Sequence, residues 1–134
     1  MSETLQIDIT AVDSQGKPTT FSKNSGSTAA CATVSSTGSI GLSTCTESIT
    51  ISWTFADSTG QKFRSNNPIT FSPAKGNSKN SGIFGPTSLT NSDKTATIAD
   101  ANPDSGHRGN NNTTFSYTIH DTSADDDPQI VNRS

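Results

Sequence analysis

The sequence predicts an all-β protein: a two-sheet antiparallel sandwich of immunoglobulin-like Greek-key order or, as the alternative, a jelly roll. Apolar and polar residues alternate with period two in several short stretches, and turn-forming residues separate these stretches. No stretch of helical length carries apolar residues at i, i+3, i+4 and i+7. The 134 residues are expected to form one domain, residues 1–134, because single cores of about 100–150 residues are the commonest.

Small hydroxyl side chains dominate the composition. The chain has 22 Ser and 21 Thr, and only 28% of its residues are hydrophobic. Disordered chains usually combine such low hydrophobicity with a high net charge, whereas the formal net charge here is -3. Thr also suits the exposed face of a strand. The composition therefore favours a β domain with a thin core and hydroxyl-rich outer faces.

The first part of the chain begins with a clear strand. Leu5, Ile7 and Ile9 alternate with polar residues, which predicts a strand over 5–11. The elements expected next are a turn at 15–18, an extended piece ending at Phe21, a loop at 22–29, and weak strands at 30–35 and 39–45.

The strongest strand signal covers residues 48–56. One face carries four large apolar side chains: Ile49, Ile51, Trp53 and Phe55. Four such residues on one face indicate a central strand of the core. Trp53 is expected to pack between the two sheets.

The second half alternates short strands with long connections. The elements expected there are a turn at 57–60, extended segments at 61–64 and 69–71, a connection at 72–88, a strand at 95–99, a loop at 100–112 and a strand at 113–120. In the last strand, Phe115, Tyr117 and Ile119 are expected to face inward and His120 outward.

The C-terminal segment combines acidic residues with a proline. Residues 125–127 are all Asp, and Pro128 follows them. Proline fixes φ and forces the preceding residue into an extended conformation, so the chain is expected to turn and then add a terminal edge strand at 129–132. The acidic residues and Arg133 would discourage edge-to-edge aggregation.

This ending resembles the DP-EP family of small bacterial β proteins, which close with a Tyr-containing strand, Asp-Pro, an apolar pair and Asn. The matching residues are Tyr117, Asp127, Pro128, Ile130 and Asn132. The family's final acidic-Pro ending is not reproduced, and the match covers only residues 117–134. A looser similarity exists to the inclusion-body proteins of insect-pathogenic bacteria. The resemblance implies a cytosolic sandwich of unassigned biochemistry that is capable of self-association, and it supplies no catalytic residue.

Two cysteines, Cys31 and Cys45, bracket a Ser/Thr-rich stretch. Two reduced thiols in neighbouring strands are the favoured interpretation, because disulfide bonds are rare in the cytoplasm. The alternative is a disulfide bond that closes a hairpin-like loop. Two cysteines without further ligands at suitable spacing do not make a zinc site.

One loop has the beginning of a calcium-binding pattern. Asp100, Asn102 and Asp104 occupy alternate positions, and calcium takes 6–8 oxygen ligands. The match fails at the later positions, since Asn111 stands where an EF-hand has a bidentate Glu. A polar turn is the favoured interpretation and a calcium site the alternative. Asp121 and residues 125–127 form a second acidic cluster, interpreted as a solvated turn.

Asparagines supply the candidate sugar ligands. Asn110, Asn111 and Asn112 are adjacent in one loop, and Asn66 and Asn67 lie near Phe63. Amide side chains can bind sugar hydroxyls as both donors and acceptors. Asn is also typical of turns, because it tolerates left-handed backbone conformations.

Several function classes are excluded or disfavoured. No run of Lys or Arg could follow a nucleic-acid backbone, and no apolar run reaches the length of a membrane span. The sequence lacks a G-x-S-x-G motif, and neither His107 nor His120 stands in a recognisable catalytic pattern, so no enzyme activity is expected. The N-terminus has no signal region, which predicts a cytoplasmic protein unless a signal has been removed or secretion follows a signal-independent route.

Two functions remain. The first is a structural or self-associating domain, whose partner is another copy of the chain or a second protein. The alternative is a carbohydrate-binding module assisted by calcium.

Overall fold

The computed structural model describes residues 3–42, 45, 48–72, 87–100, 114–123, 125–126 and 129–131. Eleven β-strands and one turn of 3-10 helix (Asp57–Thr59) lie in this part of the chain, which confirms the all-β prediction. The strands are β1 (Glu3–Val12), β2 (Pro18–Lys23), β3 (Thr33–Val34), β4 (Ile40–Gly41), β5 (Ile49–Phe55), β6 (Ile69–Ser72), β7 (Ser88–Thr90), β8 (Thr95–Asp100), β9 (Thr114–His120), β10 (Asp125–Asp126) and β11 (Gln129–Val131). None of the described residues belongs to a helix with the length and apolar character of a membrane span.

The strands form two sheets of mixed direction. The first has the order β2-β1-β5-β8-β7. In the second, β9 pairs with β6 on one side and with both β10 and β11 on the other, and β11 continues to β4 and then to β3. β1 runs parallel to β5, and β4 runs parallel to β11, so the prediction of purely antiparallel sheets is wrong at these two pairings. Both pairs join strands that are far apart in sequence, and a long connection allows the chain to return in the same direction.

Strand β5 forms the centre of the first sheet, as its alternation predicts. Its residues alternate between buried and half-buried side chains along the whole strand. Trp53 lies fully buried and donates a hydrogen bond from Nε1 to the hydroxyl of Tyr117 in the second sheet, at 3.3 Å. The two rings have centroids 5.2 Å apart. This contact joins the central strand of the first sheet to β9 of the second.

Strand β9 presents its inner face as expected. Tyr117 and Ile119 are fully buried, and the Tyr117 hydroxyl donates to the carbonyl oxygen of Gly38. His120 lies half-buried on the other face, which confirms its predicted outward position. The side chain of Phe115 lies outside the described part of the structure. The last residues of β9 therefore have one face in the core, with Tyr117 and Ile119, and one face accessible to solvent, with His120.

The C-terminal segment differs from its prediction in two ways. β11 lies between β9 and β4, so the terminal segment is an interior strand and the prediction of an edge strand is wrong. Asp125 and Asp126 form β10, which pairs with β9, where the sequence predicted a turn. β10 and β11 lie on the same side of β9, and Pro128, which has no N–H to donate to a ladder, falls between them in the sequence.

Asp121 is buried rather than solvated. Its side chain is fully inaccessible, and its Oδ1 accepts a hydrogen bond of 2.7 Å from the backbone N–H of Ser123. Its backbone forms an isolated bridge with Phe63. The interpretation of Asp121 as part of a solvated acidic turn is wrong. The bridge places it beside the segment that contains Phe63, and these two segments lie too far apart in the sequence for their contact to be predicted from residue spacing.

Cys31 and Cys45 form a disulfide bond, with Cα atoms 5.2 Å apart. The favoured interpretation of two reduced thiols is therefore wrong, and the alternative is correct. The bond closes a loop that contains β3 and β4. These two-residue strands are too short to hold their place by pairing alone, and the cross-link limits the conformations that the loop can adopt when unfolded.

Candidate functional site

The segment between β5 and β6 is held against the end of β9 by one aromatic residue. Gly60 ends the 3-10 turn with a left-handed φ of 69°, and the chain then turns toward the second sheet. Phe63 is buried, and its ring centroid lies 4.8 Å from that of Phe55. Phe63 also bridges Asp121 through the backbone. Its burial therefore fixes the residues on either side of it.

Arg64 is the first of these positioned residues. Its backbone N–H donates to the carbonyl oxygen of His120 at 2.9 Å, and its Nε donates to the carbonyl oxygen of Asp121 at 2.6 Å. A guanidinium group carries five N–H donors in a rigid plane. Because the Nε bond fixes that plane, the other donors have a defined direction.

His120 forms the opposite wall. Its backbone N–H donates to the carbonyl oxygen of Pro68 at 2.9 Å, which holds β6 beside the end of β9. Its Nε2 lies 3.0 Å from the hydroxyl oxygen of Thr70 on β6. The ring and the hydroxyl therefore hold each other in a fixed relation at the surface.

Asn66 and Asn67 form the turn between these two walls. Asn67 has a φ of 52°, in the left-handed region that Asn tolerates better than most residues. Both side chains are exposed. The turn therefore presents two amides, each of which can donate and accept hydrogen bonds, at the rim of the site.

Together these residues enclose an open cleft of about 760 Å³. The lining residues are Arg64, Ser65, Asn66, Asn67, Thr70, His120 and Thr122. The volume lies within the usual range for small-molecule sites, about 300–1,000 Å³, but most such sites are mainly apolar. Every lining side chain here is polar, so the cleft can bind a ligand that presents many hydrogen-bonding groups.

The calcium site, the alternative interpretation of the loop that begins at Asp100, is described only at its first residue. Asp100 ends β8, pairs with Ile49, and has a fully buried side chain on the same face as Ile98. Asn102 and Asp104 lie outside the described residues, as do the sugar candidates Asn110, Asn111 and Asn112. Within the described ranges, no three His, Cys, Asp or Glu side chains are grouped closely enough to hold a metal ion. The calcium site and the sugar site at 110–112 stay predictions.

The cleft was visible in the sequence only in part. Asn66 and Asn67 were sugar candidates near Phe63, and the alternation of β9 placed His120 on the outer face. The roles of Arg64 and Thr122 were missed, because they depend on the bridge between Phe63 and Asp121. No local pattern marks that bridge, since its two sides lie far apart in the chain.

No protein-family model, no curated protein and no solved structure matches the chain. Function is therefore inferred from the residues of the cleft and their geometry.

Proposed function

We propose that this domain is a non-enzymatic carbohydrate-binding module and that its site is the cleft between the 63–70 segment and β9. The observation that carries the proposal is an open cleft of about 760 Å³ whose seven lining residues all carry hydrogen-bonding side chains. A sugar presents closely spaced hydroxyls, each of which donates and accepts hydrogen bonds. The amides and hydroxyls of the lining offer the same two capacities.

The fixed positions of these groups also support binding. Arg64 is held by its bond to the Asp121 carbonyl oxygen, His120 by Thr70, and the turn at Asn67 by its left-handed backbone. Association is weakened by about 0.5–1.5 kcal/mol for each flexible side chain that must be immobilised. Side chains that already have defined positions lose less conformational entropy on binding, and this favours binding of a sugar in a small cleft.

A glycan array with two matched variants tests the proposal. Asn67→Gly removes one amide from the cleft but keeps a residue that adopts positive φ without strain. Asn91→Gly is the control, because Asn91 has a φ of 56° in the turn after β7 and does not line the cleft. We expect the wild type and Asn91→Gly to bind the same glycans, and Asn67→Gly to bind them several-fold more weakly, as expected for one lost hydrogen bond of about 1 kcal/mol. Repeating the array with a calcium chelator separates calcium-assisted from direct binding, and equal binding by all three proteins would overturn the assignment to this cleft.

Self-association is the second candidate, and the position of β6 favours it. Within the described residues, β6 is paired to β9 alone and forms one edge of the second sheet. An edge strand offers backbone groups with which another chain can pair. This candidate also agrees with what the resemblance to the DP-EP family implies. Light scattering over a range of protein concentrations should then give a mass above 13.9 kDa, and a constant monomer mass would reject it.

The arrangement of the two sheets is part of the proposal. We infer an immunoglobulin-like Greek-key sandwich, with a jelly roll as the alternative. The contact between Trp53 of β5 and Tyr117 of β9 supports face-to-face packing, since it joins the two sheets through fully buried side chains. An experimental structure in which the two sheets do not share a core would reject this inference.

The disulfide bond bears on the compartment. Disulfide bonds persist in oxidising compartments and are rare in the cytoplasm, so the Cys31–Cys45 bond favours an oxidising compartment over the cytoplasm that the sequence predicts. A free-thiol assay on protein taken from its native source tests this directly. Thiols that react only after reduction would support the oxidising compartment, whereas two reactive thiols without reductant would restore the cytoplasmic location.

A further inference from the structure

We propose that two copies of this chain pair through β6 about a twofold axis, with Thr70 of one copy opposite Thr70 of the other, so that their clefts lie side by side. This inference rests on the proposed self-association and names its surface, its partner and its register. It requires that β6 has outward backbone groups, that the strand carries no charge, and that one register pairs all of those groups.

The ladder between β6 and β9 shows which backbone groups of β6 face outward. The two strands are antiparallel, and the N–H of His120 donates to the carbonyl oxygen of Pro68 at 2.9 Å. In an antiparallel ladder, residues that exchange hydrogen bonds alternate with residues that do not. Pro68 and Thr70 therefore direct their backbone groups toward β9. The N–H and C=O groups of Ile69 and Phe71 point the other way, at the edge of the sheet.

The outward groups of β6 face no other strand in the part of the chain that the structure describes, where β6 pairs with β9 alone. Pro68 does not protect this edge, because the N–H that proline lacks would lie on the side of β9. Unpaired backbone groups at a sheet edge form a template on which another extended chain can pair. Ile69 and Phe71 supply two such groups each.

β6 also lacks the charges by which many edge strands are protected. Residues 65–72 contain no Lys, Arg, Asp or Glu. The other outer strands of the described residues differ: β2 ends in Lys23 and pairs irregularly with β1, β10 consists of two aspartates, and β3 and β7 have two and three residues. Charge, irregular pairing and shortness all hinder edge-to-edge pairing. β6 is therefore the edge best suited to it.

A second copy of β6 matches the outward groups of the first. When two identical strands run antiparallel about a twofold axis at Thr70, Ile69 of each lies opposite Phe71 of the other. Each of these two residue pairs exchanges two backbone hydrogen bonds, so every outward group of both strands is paired. The axis makes Thr70 and Thr70 of the second copy a cross-strand pair, which is a favourable combination. Because the strand is uncharged, identical edges bring no like charges of β6 together.

This register also joins the two clefts. Thr70 is exposed and lines the cleft, and its hydroxyl oxygen lies 3.0 Å from Nε2 of His120 on the outer face of the sheet. Directly opposite residues that do not exchange hydrogen bonds have Cα atoms about 4.5 Å apart. The second copy therefore adds its own Thr70 to the rim of each cleft. An oligosaccharide long enough to cross the axis can contact both copies.

Exchange of charge at position 70 tests the pairing. Thr70→Lys and Thr70→Glu each place two like charges opposite one another, which opposes association. Sedimentation equilibrium of the wild type, at concentrations up to about 1 mM, should show a mass that rises toward twice 13.9 kDa. Each variant alone should have a dissociation constant at least about tenfold higher. An equimolar mixture of the two variants should regain the dimer, because Lys then lies opposite Glu.

Thr90→Lys is the matched control, since Thr90 is an exposed threonine of β7, an edge strand of the first sheet. We expect it to associate like the wild type. All three variants alter exposed residues, so their circular dichroism spectra should match that of the wild type.

The possible failures separate the inference from the proposals on which it rests. Unchanged association of Thr70→Lys, or a mixture that stays monomeric, would overturn the β6 pairing and leave self-association through another surface. Masses above the dimer would also overturn it, since a twofold pairing closes after two copies. A wild type that stays monomeric at every concentration would reject both the inference and self-association, and would leave the proposed carbohydrate binding intact.

Discussion

Replacing Trp53 by alanine is expected to lower the free energy of unfolding by about 3–5 kcal/mol, the usual cost of removing a large aromatic side chain from a core. Trp53 is fully buried and contacts Tyr117 in the other sheet, so its removal leaves a cavity where the two sheets meet. It also removes the N–H that bonds to the Tyr117 hydroxyl. Small domains have total stabilities of about 5–15 kcal/mol, so this loss is a large fraction of the whole.

Urea denaturation measures the effect, and the same strand supplies the control. Ser52 precedes Trp53 in β5 and lies on the half-exposed face, so Ser52→Ala should change the stability by no more than about 0.5 kcal/mol. A loss below about 1 kcal/mol for Trp53→Ala would mean that the tryptophan does not fill the space between the sheets.

Deleting residues 128–134 is expected to lower the melting temperature by more than about 10 °C or to prevent folding. These residues include β11, which pairs with β9 on one side and with β4 on the other. Its loss divides the second sheet and separates β3 and β4 from the strands that carry the cleft. An edge strand, which the sequence predicted at this place, would have a partner on one side only and a correspondingly smaller effect.

A shorter deletion provides the comparison. Removing only residues 132–134 keeps every residue of β11, so its melting temperature should stay close to that of the full chain. Thermal unfolding followed by circular dichroism distinguishes the two deletions. If both melt at the same temperature as the full chain, β11 is not an interior strand of the sheet.

The parts of the fold that the sequence predicted are those in which one strand contains its own signal. β5 and the second half of β9 alternate large apolar with small polar residues, and burial of the apolar set confirms the prediction. β1 follows the same rule through Leu5, Ile7 and Ile9. In these strands, burial on one face is enough to determine both the conformation and the orientation of the side chains.

The missed parts depend on pairing between distant segments. β10 consists of two aspartates, and it forms a strand because it pairs with β9. β7 has three residues with one apolar side chain, too few to show a period. The parallel pairing of β1 with β5 and the disulfide bond between Cys31 and Cys45 likewise follow from the tertiary arrangement. Local alternation carries no information about any of these contacts.

The candidate site shows the same division. Asn66 and Asn67 could be proposed from their residue type, and the period of β9 gave the outward position of His120. Arg64 lines the cleft only because Phe63 is buried beside Phe55 and bridges Asp121. Composition did indicate a domain rich in hydroxyls, but it could not indicate where those groups surround a cleft.

The most direct test of the cleft as the binding site is an NMR titration. A saccharide that binds on the glycan array is added stepwise to isotope-labelled protein, and the amide signals are followed. The backbone amides of Asn66, Asn67, Thr70, His120 and Thr122 and the side-chain Nε–H of Arg64 should shift together and saturate at the same ligand concentration. Amides on the far sheet, such as those of β7 and β8, should keep their positions. Shifts confined to residues outside the cleft, or to the loop at 100–112, would contradict the account.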